Sequence, residues 1–144
     1  MVWREQATRF TAALAPPRLN QPVVPDHKLF SGGLEDLDEA YFVLALLNST
    51  PIRVLVDSYA LELSLSSHLF AYAAIPRFSP QDACHAHLSE LGRRAHAAEL
   101  PGILEAAEEA IDLEAAQLWG LAQLQVDALR TFDAGLEPVG PLQA

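Results

Sequence analysis

The sequence predicts an α/β or α+β fold, with a small sheet, several packed amphipathic helices and a helix-rich C-terminal third. The chain has 144 residues, enough for one ordinary domain with a sizeable core. Hydrophobic residues make up 51% of the chain and aromatic residues only 8%, a composition that favours helices rich in Ala and Leu. Apolar residues recur at helical spacing in several segments, whereas residues 68–75 have the pattern of a buried strand.

The N-terminal part, residues 1–26, is predicted to be an arm followed by an extended segment. Its first 13 residues mix polar and apolar positions, and four prolines at positions 16, 17, 22 and 25 then favour extended backbone. Residues 21–25 suit an edge strand. We expect one globular domain over residues 27–134 and a loose tail over residues 135–144.

Two helices are predicted to meet at a corner near residue 49. Asp36 and Glu39 form a capping-box pattern, which predicts a first helix over residues 37–47. Pro51 suits the first turn of the next helix, residues 51–60, after a hydroxyl cap at Ser49 or Thr50. On this second helix, the four-residue spacing of Arg53 and Asp57 predicts an exposed ion pair.

The rest of the chain is predicted to place the central strand before three helices. Residues 68–75 are apolar on both faces, and Pro76 ends the strand. Ser79 is the predicted hydroxyl cap of the third helix, which buries Cys84 on its apolar face. A fourth helix begins near residue 103, and Gly120 in the left-handed conformation ends it before a last helix that runs to about residue 132.

Charge is distributed unevenly along this acidic chain. Nine basic and nineteen acidic residues give a formal net charge of −10. Residues 1–98 hold eight basic and ten acidic residues, whereas residues 99–144 hold one basic and nine acidic residues. This distribution excludes strong non-specific DNA binding by the chain alone and leaves local DNA contact open in the first two-thirds. With one cysteine and no leader or membrane-length apolar run, we expect a cytoplasmic protein with no membrane association.

Three segments in order carry a resemblance to a known family. They are Glu39-Ala-Tyr-Phe-Val-Leu-Ala-Leu-Leu-Asn-Ser49 with Ala74-Ile-Pro-Arg-Phe78 after a polar gap, His87-Leu-Ser-Glu-Leu-Gly-Arg-Arg-Ala-His96, and Ile111-Asp-Leu-Glu-Ala-Ala-Gln-Leu-Trp-Gly-Leu121. Together they resemble the C-terminal region of bacterial restriction-modification adenine-N6 DNA methylases, over about residues 22–132. Trp119 stands where the family usually has Tyr, and the polar acidic stretch that often follows the Gly-Leu turn is absent.

The resemblance implies a piece of a methylase without its catalytic centre. The chain has neither the Gly-rich loop that binds S-adenosylmethionine nor the Asn-Pro-Pro-Tyr type motif that handles a flipped adenine. We therefore expect a non-catalytic fragment or subunit that binds no cofactor or metal itself. It assists DNA target recognition together with a methylase domain or subunit, which uses S-adenosylmethionine.

The candidate DNA-contact residues are basic or polar side chains in the first two-thirds of the chain. They are Lys28, Arg53, Ser66, Ser67, His68 and Arg77. The serines also fit an ordinary turn, and Arg53 also fits a pair with Asp57. No histidine lies four residues from another, so we expect packing or surface roles for the histidines, and Cys84 is interpreted as a core residue. The acids of the fourth helix, Asp112 included, are expected on its wet face.

A protein-interaction or dimerisation module with no DNA role is the alternative. The Ala/Leu face of residues 103–132 would dock on a partner helix or on a second copy of the chain as a homodimer. The acidity of the C-terminal third suits this alternative, because a module with no DNA role has no phosphate groups for these carboxylates to repel.

Overall fold

The structure is a computed structural model that describes residues 1–4, 9–15, 24–59 and 72–135. These residues contain three short strands and five helices. The strands are β1 (Val2–Arg4), β2 (Ala12–Ala13) and β3 (Leu29–Ser31), and the helices are α1 (Leu37–Asn48), α2 (Thr50–Tyr59), α3 (Ala83–His96), α4 (Pro101–Leu118) and α5 (Gln123–Gly135). The predicted α+β class with a small sheet and a helix-rich C-terminal third is confirmed.

The sheet is antiparallel, with β1 between β2 and β3. Trp3 lies opposite Ala12 on one side and Phe30 on the other, and the Trp3 and Phe30 rings stack at 5.9 Å between centroids. Because side chains alternate along a strand, these residues form the inner face of the sheet. The first residues of the chain, expected to form an arm, thus supply two strands and place Trp3 and Phe10 in the core.

The described part of residues 68–75 does not form the predicted central strand. Residues 68–71 lie outside the described residues, and residues 72–75 are not in a strand. Ala74 has φ of 47°, a left-handed conformation that cannot continue a pleated strand. The apolar side chains of this segment serve another purpose, because Ala73 is buried and Ile75 packs against the core from a loop. Of the predicted edge strand, residues 21–23 lie outside the described part and residues 24–25 are not in a strand.

Helix α1 lies at the centre of the fold and has a different partner on each side. The sheet-side core joins the inner face of the sheet to α1 and α2 through Trp3, Phe10, Ala12, Leu44, Leu47, Ile52, Val56 and Ala73. The helix-side core joins α1 to α3 and α4 through Phe42, Ala45, Leu46, Leu88, Leu91, Ile111 and Ala115. Val43, Ile75 and Trp119 pack against both cores and hold them together.

Helices α1 and α3 approach each other unusually closely at Gly92. A Cβ atom at this position would overlap the carbonyl oxygen of Tyr41 and lie 3.2 Å from the Cβ of Ala45. The absence of a side chain at Gly92 therefore sets the spacing between the two helices.

The helix ends follow the sequence signals with two corrections. The hydroxyl cap predicted for α2 at Ser49 or Thr50 does not form, because the Ser49 hydroxyl donates to the Leu46 carbonyl and the Thr50 hydroxyl donates to Asp112. Asp36 caps α1, and its side chain accepts from the Glu39 N–H at 2.8 Å, as the capping box predicts. The predicted cap of α3, Ser79, is wrong because residues 79–82 form a turn, and the Asp82 side chain accepts from the N–H groups of Cys84 and His85 instead. Gly120 has φ of 64° at the end of α4, and the Leu121 N–H donates to the Ala116 carbonyl, as in a Schellman motif.

Within the described residues, no single helix is long and apolar enough to cross a membrane. Helices α1 and α2 reach that length and composition only as a pair, and they are bent by 60° at their junction.

Candidate functional site

The structure places the candidate DNA-contact residues in three different situations. Lys28 is exposed in the turn before β3, and Arg77 is exposed on the segment between Pro76 and α3. Arg53 is enclosed, with its side chain only 12% exposed. Ser66, Ser67 and His68 lie outside the described residues, so their DNA contacts stay predictions.

The Arg53 guanidinium is surrounded by oxygen atoms. It donates to the Asp133 carboxylate at 3.1 Å, to the Asn48 carbonyl at 3.0 Å and to the Thr50 hydroxyl at 3.1 Å, and Glu108 lies 3.7 Å away. The predicted exposed pair of Arg53 with Asp57 is wrong, because Arg53 turns to these partners on α4 and α5. A phosphate would have to compete with two carboxylates for this side chain.

Asp133 is the buried acid that joins α5 to the rest of the fold. Its carboxylate is 6% exposed and accepts from both Arg53 and Arg9. Asp57 accepts instead from the Phe10 N–H at 3.2 Å. Burial raises the pKa of Asp57, and the charge of Asp133 adds to that rise, whereas the Phe10 hydrogen bond and the charges of Arg9 and Arg53 oppose it.

Asp112 of α4 caps the N-terminus of α2. Its carboxylate accepts from the Thr50 N–H and the Thr50 hydroxyl, both at 2.7 Å, and from the Arg130 Nε at 2.9 Å. The Asp112 side chain is 6% exposed, so its predicted position on the solvent-exposed face of α4 is wrong. A carboxylate suits this place because the first N–H groups of a helix have no partner in the helix and carry a partial positive charge.

Two cavities flank the enclosed arginine. One, of about 230 Å³, lies among α1, α3 and α4, and the other, of about 220 Å³, lies between α2, α4 and α5. Arg53 and Glu108 line both. The second is lined otherwise by Thr50, Glu105, Glu109, Asp112, Arg130 and Asp133. Arg53 and Arg130 contact four of its five carboxylates, those of Glu108, Glu109, Asp112 and Asp133, and these ion pairs connect α2, α4 and α5.

The remaining reactive groups have packing roles. His85 is buried against the rings of Phe42 and Phe78, and its Nδ1 accepts from the Ser79 N–H at 3.1 Å. Cys84 packs partly buried against the helix-side core, in agreement with its interpretation as a core residue. Burial and the nearby Glu114 raise the pKa of the Cys84 thiol to about 11, which keeps it protonated at neutral pH. No group of three metal-ligating side chains occurs among the residues that the structure describes.

The three segments that carry the family resemblance meet at the junctions of the fold. The Asn48 side chain exchanges two hydrogen bonds with the Ala12 backbone, at 2.9 and 3.0 Å, which attaches β2 to α1. Thr50, next to the Leu-Asn-Ser segment, bonds to Asp112 of the Ile-Asp pair. The Trp119 indole N–H donates to the Ala74 carbonyl at 3.4 Å. Comparisons of the chain with protein-family models, curated proteins and solved structures found no match.

Proposed function

We propose that this chain is the C-terminal, target-recognition-associated region of a restriction-modification adenine-N6 DNA methylase. It is non-catalytic itself and holds duplex DNA together with a methylase domain or subunit. The observation that carries this proposal is the contact between the resemblance segments: Phe42, Leu91 and Ile111, one from each segment, share one core, and the Trp119 indole N–H donates to the Ala74 carbonyl across 45 residues.

These contacts explain why such short motifs would occur together. Leu-Asn-Ser or Trp-Gly-Leu occurs by chance in many proteins, so the proposal depends on the order and spacing of the segments together with their packing in one core. The buried residues of the segments build the fold, and DNA contact is proposed for exposed side chains such as Lys28 and Arg77.

The chemistry of the reaction is assigned to the partner. Methyl transfer to adenine needs S-adenosylmethionine, and the adenine must be extruded from the duplex into a pocket. The Gly-rich loop and the Asn-Pro-Pro-Tyr type motif that do this work are not in the sequence. The contribution of this chain is to hold and orient the duplex, through contacts to phosphates and to base edges, while the methylase half acts.

A protein-interaction module is the second candidate, and one surface favours it. Leu100, Ile103 and Leu104 are 63%, 49% and 37% exposed at the start of α4, and Leu104 also lines the 230 Å³ cavity. Residues three and four apart on a helix are neighbours, so these side chains form one apolar patch. Size-exclusion chromatography with light scattering distinguishes a homodimer through residues 103–132 from a monomer.

The proposed function is tested with the methylase encoded upstream of this chain, in frame or as an adjacent gene. Duplex DNA affinity is measured by fluorescence anisotropy for the methylase with and without the chain, on a methylatable duplex and on a scrambled one. We expect the chain to tighten binding and to widen the difference between the two duplexes. Equal affinities with and without the chain, or a complete unrelated gene upstream, would contradict the proposal.

A further inference from the structure

On the basis of the function proposed above, we propose that Arg4, on the outer face of the β2-β1-β3 sheet, and Lys28, in the turn that leads into β3, contact the phosphate backbone of duplex DNA. Arg4 belongs to no motif and has no sequence signal of its own. Its place beside Lys28 follows from the pairing of β1 with β3.

The strand register brings the two cations together. Arg4 is the Cα partner of Leu29, which directly follows Lys28 in the chain. Paired Cα atoms in antiparallel strands lie about 5 Å apart, so Lys28, in the turn one residue before Leu29, lies at the same end of the sheet as Arg4. Both residues are exposed.

The outer face of the sheet beside Arg4 holds no acidic residue. Trp3, Ala12 and Phe30 point to the core, so the alternate residues Val2, Arg4, Ala13, Leu29 and Ser31 form the outer face. None of these five residues is acidic. The nearest described carboxylate in sequence, Asp26, accepts from the backbone N–H of His27 at 2.7 Å and contacts its ring nitrogen at 2.6 Å.

Other cations are less suited to phosphate. Arg9, Arg53, Arg93 and Arg130 all form ion pairs with carboxylates. Within the described part of the chain, Arg4, Lys28, Arg77 and Arg94 form none. Of these four, Arg4 and Lys28 are the two that the pairing of Arg4 with Leu29 places at one end of the sheet, and two neighbouring charges bind a polyanion better than one.

Two measurements test this surface. First, the ¹⁵N-labelled full chain is titrated at low salt with a duplex of about 12 base pairs, slightly more than one helical turn. The largest amide shifts are expected at residues 2–4 and 28–31. Second, affinity of the methylase–chain pair for its duplex is measured from about 20 to 200 mM salt for the wild type, Arg4→Ala, Lys28→Ala and Arg4→Lys.

Each alanine variant is expected to reduce the slope of log affinity against log salt by about 1, because one phosphate contact is lost. Arg4→Lys keeps the charge and most of the affinity. The matched control is Arg94→Ala, an exposed cation on α3 that is expected to change neither quantity. Circular dichroism and thermal melting confirm that each variant is folded.

Four outcomes overturn the inference. Alanine variants that leave the slope unchanged, while the chain still tightens DNA binding, reject this surface and leave the proposed function standing. Variants that weaken binding of the chain to the methylase, with its DNA contact unchanged, make the face a protein interface. Shifts centred on Arg77 and Arg94 move the DNA contact elsewhere. If the chain does not change DNA affinity, both this inference and the proposed function fail.

Discussion

The sheet and the C-terminal helices use their charged side chains in opposite ways. In α4 and α5, Asp112 and Asp133 are buried and bind the arginines that reach them, so the charges stabilise the packing of the helices. On the sheet, Arg4 and Lys28 are exposed and form no ion pair with any described residue. The comparison separates charged side chains that stabilise the fold from charged side chains that are available to bind a partner.

This difference also changes what the net charge of −10 means for function. Nine of the nineteen acids follow residue 98, and part of their charge is consumed by Arg9, Arg53 and Arg130. The acids of the C-terminal third therefore stabilise the packing of the helices as well as repelling phosphate. We expect substitutions there to change stability, and substitutions on the sheet to change DNA affinity.

The largest effect on the helical side is expected from Gly92→Ala. The new methyl group would overlap the Tyr41 carbonyl, which is backbone and cannot rotate away, so α1 and α3 must separate. We expect a loss of about 3 kcal/mol in the free energy of unfolding, measured by urea denaturation. Gly102→Ala is the matched control, because a Cβ there has no atom within 4 Å and alanine is the better helix former. A stable Gly92→Ala protein would contradict the close approach.

The next effect tests whether Asp112 builds the fold. Asp112→Ala leaves the Thr50 N–H and hydroxyl and the Arg130 guanidinium without their acceptor, and we expect a loss of about 2 to 3 kcal/mol. Thr50→Val removes the hydroxyl, which donates to Asp112 and accepts from Arg53, but keeps the N–H bond to Asp112, and it should cost about 1 to 2 kcal/mol. Chemical denaturation measures both. An Asp112→Ala protein as stable as the wild type would contradict the claim that the Asp112 carboxylate stabilises the fold.

A gain in stability is expected at the segment that joins the two cores. Ala74 has φ of 47°, and a left-handed conformation costs an L-residue about 1 kcal/mol that glycine does not lose. Ala74→Gly keeps the carbonyl that accepts from Trp119. We expect the melting temperature to rise slightly. A clear fall would mean that the small methyl group contributes more by packing than its backbone strain costs.

The smallest effect concerns Asp57, which lies between the sheet side and the helices. Burial raises its pKa above the ordinary value of 3.8, so the ionised form destabilises the folded state at neutral pH. Asp57→Asn keeps an oxygen acceptor for the Phe10 N–H and removes the charge. We expect a gain of about 0.5 kcal/mol or less at pH 7, since solvent screens a half-exposed group. That gain should disappear as the pH falls through the raised pKa towards 3.8. An advantage that persists at low pH would contradict this cause.

Local signals in the sequence predicted the helices well. The Asp36 cap and the left-handed Gly120 depend on neighbouring residues alone, and both are confirmed. The sheet was missed because strands of two or three residues are too short to show an alternating pattern. Residues 72–75 were misassigned because an apolar loop that packs on two cores resembles a buried strand in composition.

The candidate site was harder to predict because its contacts are distant in the sequence. Arg53 binds Asp133 across 80 residues, whereas helical spacing suggested Asp57 four residues away. Asp112 had a usable signal: Ile111, Ala115 and Ala116 are buried around it, so it lies within the buried face of α4. Arg4 had none, since its position beside Lys28 depends on the register between β1 and β3.

Target-site methylation tests most directly whether the sheet face, and not the acidic helices, serves the DNA. Initial rates of adenine methylation are measured for the upstream methylase alone, with the wild-type chain, and with the Arg4→Ala/Lys28→Ala chain, at salt near the physiological level. We predict that the wild-type chain raises the rate at the target site. The double variant should bind the methylase equally well and raise the rate much less. Equal stimulation by both chains would contradict the assignment of the sheet to DNA.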